Sequence, residues 1–147
     1  MAKPIPDGYH TLTPYLVVPD GEVMLRFLKD AFAANLLERF NRADGALKHA
    51  ELQIGDSRLM MGQANEHFTP RPQTLYVYVP DVDAAFQRAL DAGAKSLMPV
   101  ADQDYGDRSG GFEDPAGNWW WVGTHIEDVS AEEIQRRALA QEALQAK

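Results

Sequence analysis

The sequence predicts an α+β fold made of two βαβββ modules in tandem, followed by a tail helix. Three observations predict it. The phrase Tyr15-Leu16-Val17-Val18-Pro19-Asp20 returns 61 residues later as Tyr76-Val77-Tyr78-Val79-Pro80-Asp81. The same 61-residue offset relates the turn signal Gly55-Asp56-Ser57 to Ala116-Gly117-Asn118, and Arg58-Leu59-Met60-Met61-Gly62 to Trp119-Trp120-Trp121-Val122-Gly123. Apolar residues at helical spacing follow each copy of the opening phrase. A repeat held in register across so many landmarks is one supersecondary unit written twice.

Each opening phrase is a β-branched and aromatic run, suited to a strand and stopped by Pro. Asp20 and Asp81 then stand where a helix N-cap is needed. Met24, Phe27, Leu28 and Ala31 make one face of the first helix, and Val82, Ala85, Phe86, Ala89 and Leu90 one face of the second, which Gly93 ends. Leu36-Leu37 and Leu97-Met98 begin the strand after each helix, and a two-strand hairpin around the shared turn completes each module. Module one therefore spans about residues 8–64 and module two about 74–125, all within one domain covering 1–147. Gln63 to Gln73, with Pro70 and Pro72, is the expected linker, and the polar, Gly-containing Asp102 to Gly111 an expected loop. Ser130-Ala131-Glu132-Glu133 is a capping-box signal that opens a tail helix over about 130–145.

Composition narrows the class of function. The 147 residues carry 14 basic and 22 acidic side chains, a formal charge of −8, which argues against nucleic acid or an anionic membrane as partner. With no cysteine, disulfides, thiolate metal sites and cysteine nucleophiles are excluded. No apolar run reaches the ~18 residues of a membrane span, and Met1 to Pro6 leads into no apolar segment of a leader. A soluble, cytoplasmic protein is the expectation.

The paired modules, with Asp114-Pro115-Ala116-Gly117-Asn118-Trp119 in the last hairpin, resemble the vicinal oxygen chelate superfamily of glyoxalases, bleomycin-resistance proteins and extradiol dioxygenases. Lys48-His49-Ala50-Glu51-Leu52, Met98-Pro99-Val100 and Tyr105-Gly106-Asp107-Arg108-Ser109-Gly110 are similar to its PhnB-like branch. The resemblance implies curved sheets around a ligand groove, and a homodimer. It also implies four metal ligands, one from each of four strands, and counting from the shared landmarks places these at Thr13, Met60, Thr74 and Trp121. Threonine hydroxyls are weak neutral donors, Met prefers soft ions and an indole N–H only donates, so no metal and no other cofactor is expected.

Strand alternation sorts the remaining side chains by face. Tyr15, Val17, Arg58, Tyr76, Tyr78 and Trp119 share the groove face with Met60, Trp121 and the other two counted positions, and His49, Glu51 and Gln53 join them from the third strand. Leu12, Leu16, Val18, Leu59, Met61, Leu75, Val77, Val79, Trp120 and Val122 are expected on the opposite face, under the helices. The groove thus offers aromatic stacking to a planar or amphipathic small molecule, with Arg58 for an anionic group. Tyr105 and Arg108 belong to a loop placed to close over such a ligand, or Asp107 and Arg108 pair with neighbours to hold the loop. His49 and Glu51 are a candidate general acid–base pair, or a hydrogen-bonded polar cluster. Three functions follow: small-molecule sequestration, a glyoxalase-like lyase or isomerase using His49 and Glu51 or a non-standard metal site, and an interaction protein acting through the tail helix.

Overall fold

The computed structural model describes residues 1–146. Its elements are β1 (Tyr15–Val18), α1 (Gly21–Phe32), β2 (Asn35–Asn41), β3 (Leu47–Ile54) and β4 (Ser57–Gln63), then β5 (Thr74–Tyr78), α2 (Val82–Asp91), β6 (Lys95–Asp102), β7 (Asp107–Glu113) and β8 (Trp119–His125), with α3 (Ala131–Gln145) last. Each module forms a four-stranded sheet, in the orders β1-β4-β3-β2 and β5-β8-β7-β6. The first and last strands of each module run parallel, and the other pairs are antiparallel. The helices start as the sequence dictates. Asp20 accepts from the backbone N–H groups of Glu22 and Val23, and Asp81 from that of Ala84.

One apolar core serves both modules. Leu16, Val18, Leu59, Met61, Trp120 and Val122 are buried, as alternation requires, against Met24, Phe27, Leu28, Val82, Ala85 and Ala89 of the helices. Phe32 of α1 reaches across to Phe112 and Trp120 of the second module, with ring centroids 6.0 and 4.9 Å apart. Leu12 does not join this layer. It is 87% exposed, because β1 begins only at Tyr15 and the chain before it is not held to strand alternation.

Two expectations about local structure are corrected. The stretch expected as a loop is mostly strand, since β6 runs to Asp102 and β7 begins at Asp107, leaving only a short turn. Its glycines serve close packing rather than a loop. A Cβ on Gly110 would come within 3.1 Å of Met98 O and Val100, and one on Gly111 within 2.1 Å of the Trp121 ring. The capping box forms by half. Ser130 Oγ accepts from the Glu133 N–H at 3.2 Å, while the Glu133 carboxylate turns to Arg136 and Arg137. Helix α3 buries no residue and is tied down through Arg137, which donates to Asp104 O and Glu127.

The Asp-Pro-x-Gly turn earns its place through one carboxylate. Asp114 is buried and accepts from the N–H groups of Ala116 and Asn118, from Asn118 Nδ2 and from Trp120 Nε1, all at 2.8–3.0 Å. It both closes the turn and orients the core indole. Asp114→Ala strands several buried donors, each worth about 1–3 kcal/mol, so a loss of at least about 3 kcal/mol is expected in urea unfolding. Glu132→Ala, on the exposed first turn of α3, should stay within about 0.5 kcal/mol of the parent.

Candidate functional site

The face of each sheet turned away from the helices carries exposed aromatic rings laid over glycines. Tyr15 on β1 leans across Gly62 of β4, where an added Cβ would sit 2.9 Å from its hydroxyl. Its repeat mate Tyr76 leans across Gly123 of β8 in the same way, at 2.6 Å. Trp121 lies over Gly111, its register partner on β7. With no side chain beneath, each ring can rest against the strand and turn a face to solvent. Tyr15, Tyr76, Tyr78 and Trp119 are each at least 40% exposed, although all four belong to strands.

Matching rows cross the two sheets. In the first, Tyr15, Met60 and Glu51 stand side by side on β1, β4 and β3. In the second, the equivalent row is Tyr76, Trp121 and Gly111. The indole of the second module therefore occupies the space that a carboxylate takes in the first.

A polar chain runs over the first sheet. Tyr15 Oη lies 3.3 Å from His49 Nδ1, His49 Nε2 lies 3.3 Å from Glu51 Oε2, and Tyr9 donates to Glu51 Oε1. Hydrogen bonding from Tyr9 pulls the Glu51 pKa below the usual carboxylate range; burial opposes it and His49 assists. Burial, then the Glu51 hydrogen bond, raises the Tyr9 phenol. The segment before β1 folds over this sheet. Arg58 lies 5.0 Å from the Tyr9 ring centroid and donates to Gln53 Oε1 and Asp7 O, and its guanidinium fills the space where Gly8 would need a Cβ.

The second sheet has its own centre, Asp107. This buried carboxylate accepts from Tyr76 Oη at 2.7 Å and Tyr78 Oη at 2.8 Å, and contacts His125 Nδ1 at 2.8 Å. Burial disfavours its charge, yet the hydrogen bonds from His125, Tyr76 and Tyr78 outweigh that and hold its pKa low. Tyr76 is raised strongly, by burial first and then by Tyr105 and Asp107; Tyr78 is raised chiefly by its bond to Asp107. His125 Nε2 meets Asp128 at 2.7 Å, and Asp128, then Asp107, raise the imidazole pKa.

Of the residues expected from sequence, Tyr15, Met60, His49 and Glu51 gather on the first sheet, and Tyr76, Tyr78, Trp119 and Trp121 on the second. Trp119 and Trp121 meet edge to face at 6.4 Å, with Trp119 Nε1 donating to Glu113. Arg58 lines a cleft of about 400 Å³ between the chain before β1 and β5, with Tyr9, Tyr76 and Tyr78 also in its walls. Tyr105 reaches the aromatic face, 3.0 Å from Ser109 Oγ and 3.4 Å from Tyr76 Oη. Arg108 is not brought to that face. It is paired with Asp83 of α2 and Asp102 of β6, the neighbour-pairing alternative for this stretch. Sequence reasoning missed Tyr9 altogether and did not foresee Asp107 as a hub. Only a Tyr-x-Tyr strand opposite an otherwise unexplained Asp could have hinted at the latter.

The model of the Glyoxalase/Bleomycin resistance protein/Dioxygenase superfamily matches residues 9–122. The chain belongs to that superfamily. An uncharacterized protein of Mycobacterium bovis is 38% identical, over 84% of this chain and 89% of its own length. Among solved structures, TioX from Micromonospora sp. ML1 is similar with a TM-score of 0.68 and 28% identity, covering 80% of this chain and 99% of that one. TnmS3, an antibiotic binding protein from Streptomyces sp. CB03234, shares the fold with a TM-score of 0.64 at 20% identity, covering 84% and 99%.

The metal that the superfamily resemblance implies does not fit the donors present. Thr13, Met60, Thr74 and Trp121 supply no carboxylate or imidazole. Among the described residues, no group of three or more His, Asp or Glu side chains is arranged to hold an ion. No helix among them is long and apolar enough to cross a membrane.

The Asp107–His125 pair sets a pH dependence at both ends. A raised imidazole contributes stability below about pH 6.5, lost as pH rises through its folded value; a lowered carboxylate contributes above about pH 3.9, lost as pH falls through its folded value. An NMR titration should place His125 above 6.5, and Asp128→Asn should bring it down. An unchanged midpoint in the variant would contradict the assigned cause.

Proposed function

We propose that this protein binds and sequesters a planar or amphipathic small molecule on its aromatic sheet faces, as a homodimer. The observation that carries the reading is the glycine beneath each key ring. A sheet that leaves space under Tyr15, Tyr76 and Trp121 keeps those rings flat and their faces available. Stacking on such rings is worth about 0.5–1.5 kcal/mol per pair beyond the area buried. The hydroxyls of Tyr76 and Tyr78 are committed to Asp107, which fixes the rings before any ligand arrives and lowers the ordering cost of binding. The fold is one on which the antibiotic binding protein TnmS3 is also built.

The exposed rings also support the dimer. A second copy laid over these faces would cover Tyr78 and Trp119, which are 64% and 44% exposed in the single chain, and turn two open sheets into an enclosed groove. The lyase reading is weaker. A general base works best with a pKa near the working pH, whereas Tyr9 and His49 draw Glu51 the other way and occupy its oxygens.

A panel of flat aromatic compounds, titrated against intrinsic fluorescence, tests the proposal. Trp119→Ala, Trp121→Ala and Gly111→Ala, which forces Trp121 off its strand, should each weaken a compound that binds the parent by about three- to tenfold. Unchanged affinity in all three variants, with folding intact by circular dichroism, would overturn the stacking account.

A further inference from the structure

A cleft of about 720 Å³ opens on the first sheet, between β1, β4 and the turn joining β2 to β3. Its apolar walls include Tyr15 and Phe68, the latter 69% exposed. Its polar lining has one unusual property: the side-chain groups left over are hydrogen-bond donors. Lys48 and Arg42 both line it, and no Asp or Glu does, in a chain of net charge −8. Arg42 is held by the backbone carbonyls of Gln63 and Ala64, so no carboxylate neutralises it there.

Asn65, in the same lining, reinforces this. Its Oδ1 accepts from the N–H groups of His67 and Phe68 at 2.8 and 2.7 Å, so its oxygen is spent on the protein. Among the described residues its NH₂ is uncommitted, and an amide NH₂ only donates. A cavity with two cations, a spare amide donor and aromatic walls is complementary to an acceptor-rich anion on an apolar body.

We infer that this cleft takes an anionic amphiphile, an aromatic or alkyl body ending in a sulfonate, carboxylate or phosphate. The inference rests on the small-molecule reading above and names the ligand class for its first-sheet half. Lys48 and Arg42 supply the charge, the Asn65 amide orients the anionic head, and Tyr15 and Phe68 cover the body.

Two dyes of the same aromatic body separate the charge from the stacking: 8-anilinonaphthalene-1-sulfonate and the neutral N-phenyl-1-naphthylamine. The parent protein should bind the sulfonate about tenfold more tightly than the neutral dye. Lys48→Gln should remove most of that preference. So should Asn65→Asp, which keeps the acceptor for His67 and Phe68 but places a carboxylate where the NH₂ was. Both variants should leave the neutral dye's affinity unchanged. Equal binding of the two dyes by the parent, or sulfonate binding untouched in both variants, would overturn the anion inference while the small-molecule reading stood. Binding of neither dye would overturn both.

Discussion

The packing of Phe32 against Phe112 and Trp120 decides how both sheets are used. Phe32 comes from the first module's helix, and the other two rings from the second module's sheet. Each such pair is worth about 0.5–1.5 kcal/mol beyond its buried area. Joined to Phe27 and Phe86, which also meet Phe112, they make the two modules share one core on the helix side. Because a strand's side chains alternate, committing one face to that core leaves the other free. The Tyr, Trp and Met residues opposite lie outside that shared core, on the face where the proposed ligand would bind.

The same logic explains the buried acids. Asp114 and Asp107 are both nearly inaccessible, and each accepts from several donors. Asp114 faces the core and serves Trp120, a folding role. Asp107 faces the open side and fixes the hydroxyls of Tyr76 and Tyr78. A buried carboxylate is costly unless its lone pairs are occupied, so each fixes the groups around it tightly.

Much of the fold was legible because it is written twice. The paired Pro-Asp phrases located the helix starts, and alternation separated Trp120, a core residue, from Trp119 and Trp121 on the open face. What escaped was determined by contacts distant in sequence. Strand β7 carries Asp and two glycines, residue types depleted in strands. Its glycines make sense only once Trp121 and Val100 are known to press on them. The Tyr9–Glu51 bond joins residues 42 apart, through a segment with no repeat mate and no regular structure. The sequence left Arg108 between a ligand contact and a neighbour pair, because its pairing with Asp83 depends on where α2 sits over the sheet.

Native mass spectrometry of the purified protein, with metal analysis of the same sample, decides whether these sheet faces bind an organic molecule without a resident metal ion. The expected species has about twice the 16.4 kDa chain mass and far less than one divalent ion per chain, with or without a retained organic ligand. One tightly held divalent ion per chain would contradict it and return attention to His49 and Glu51.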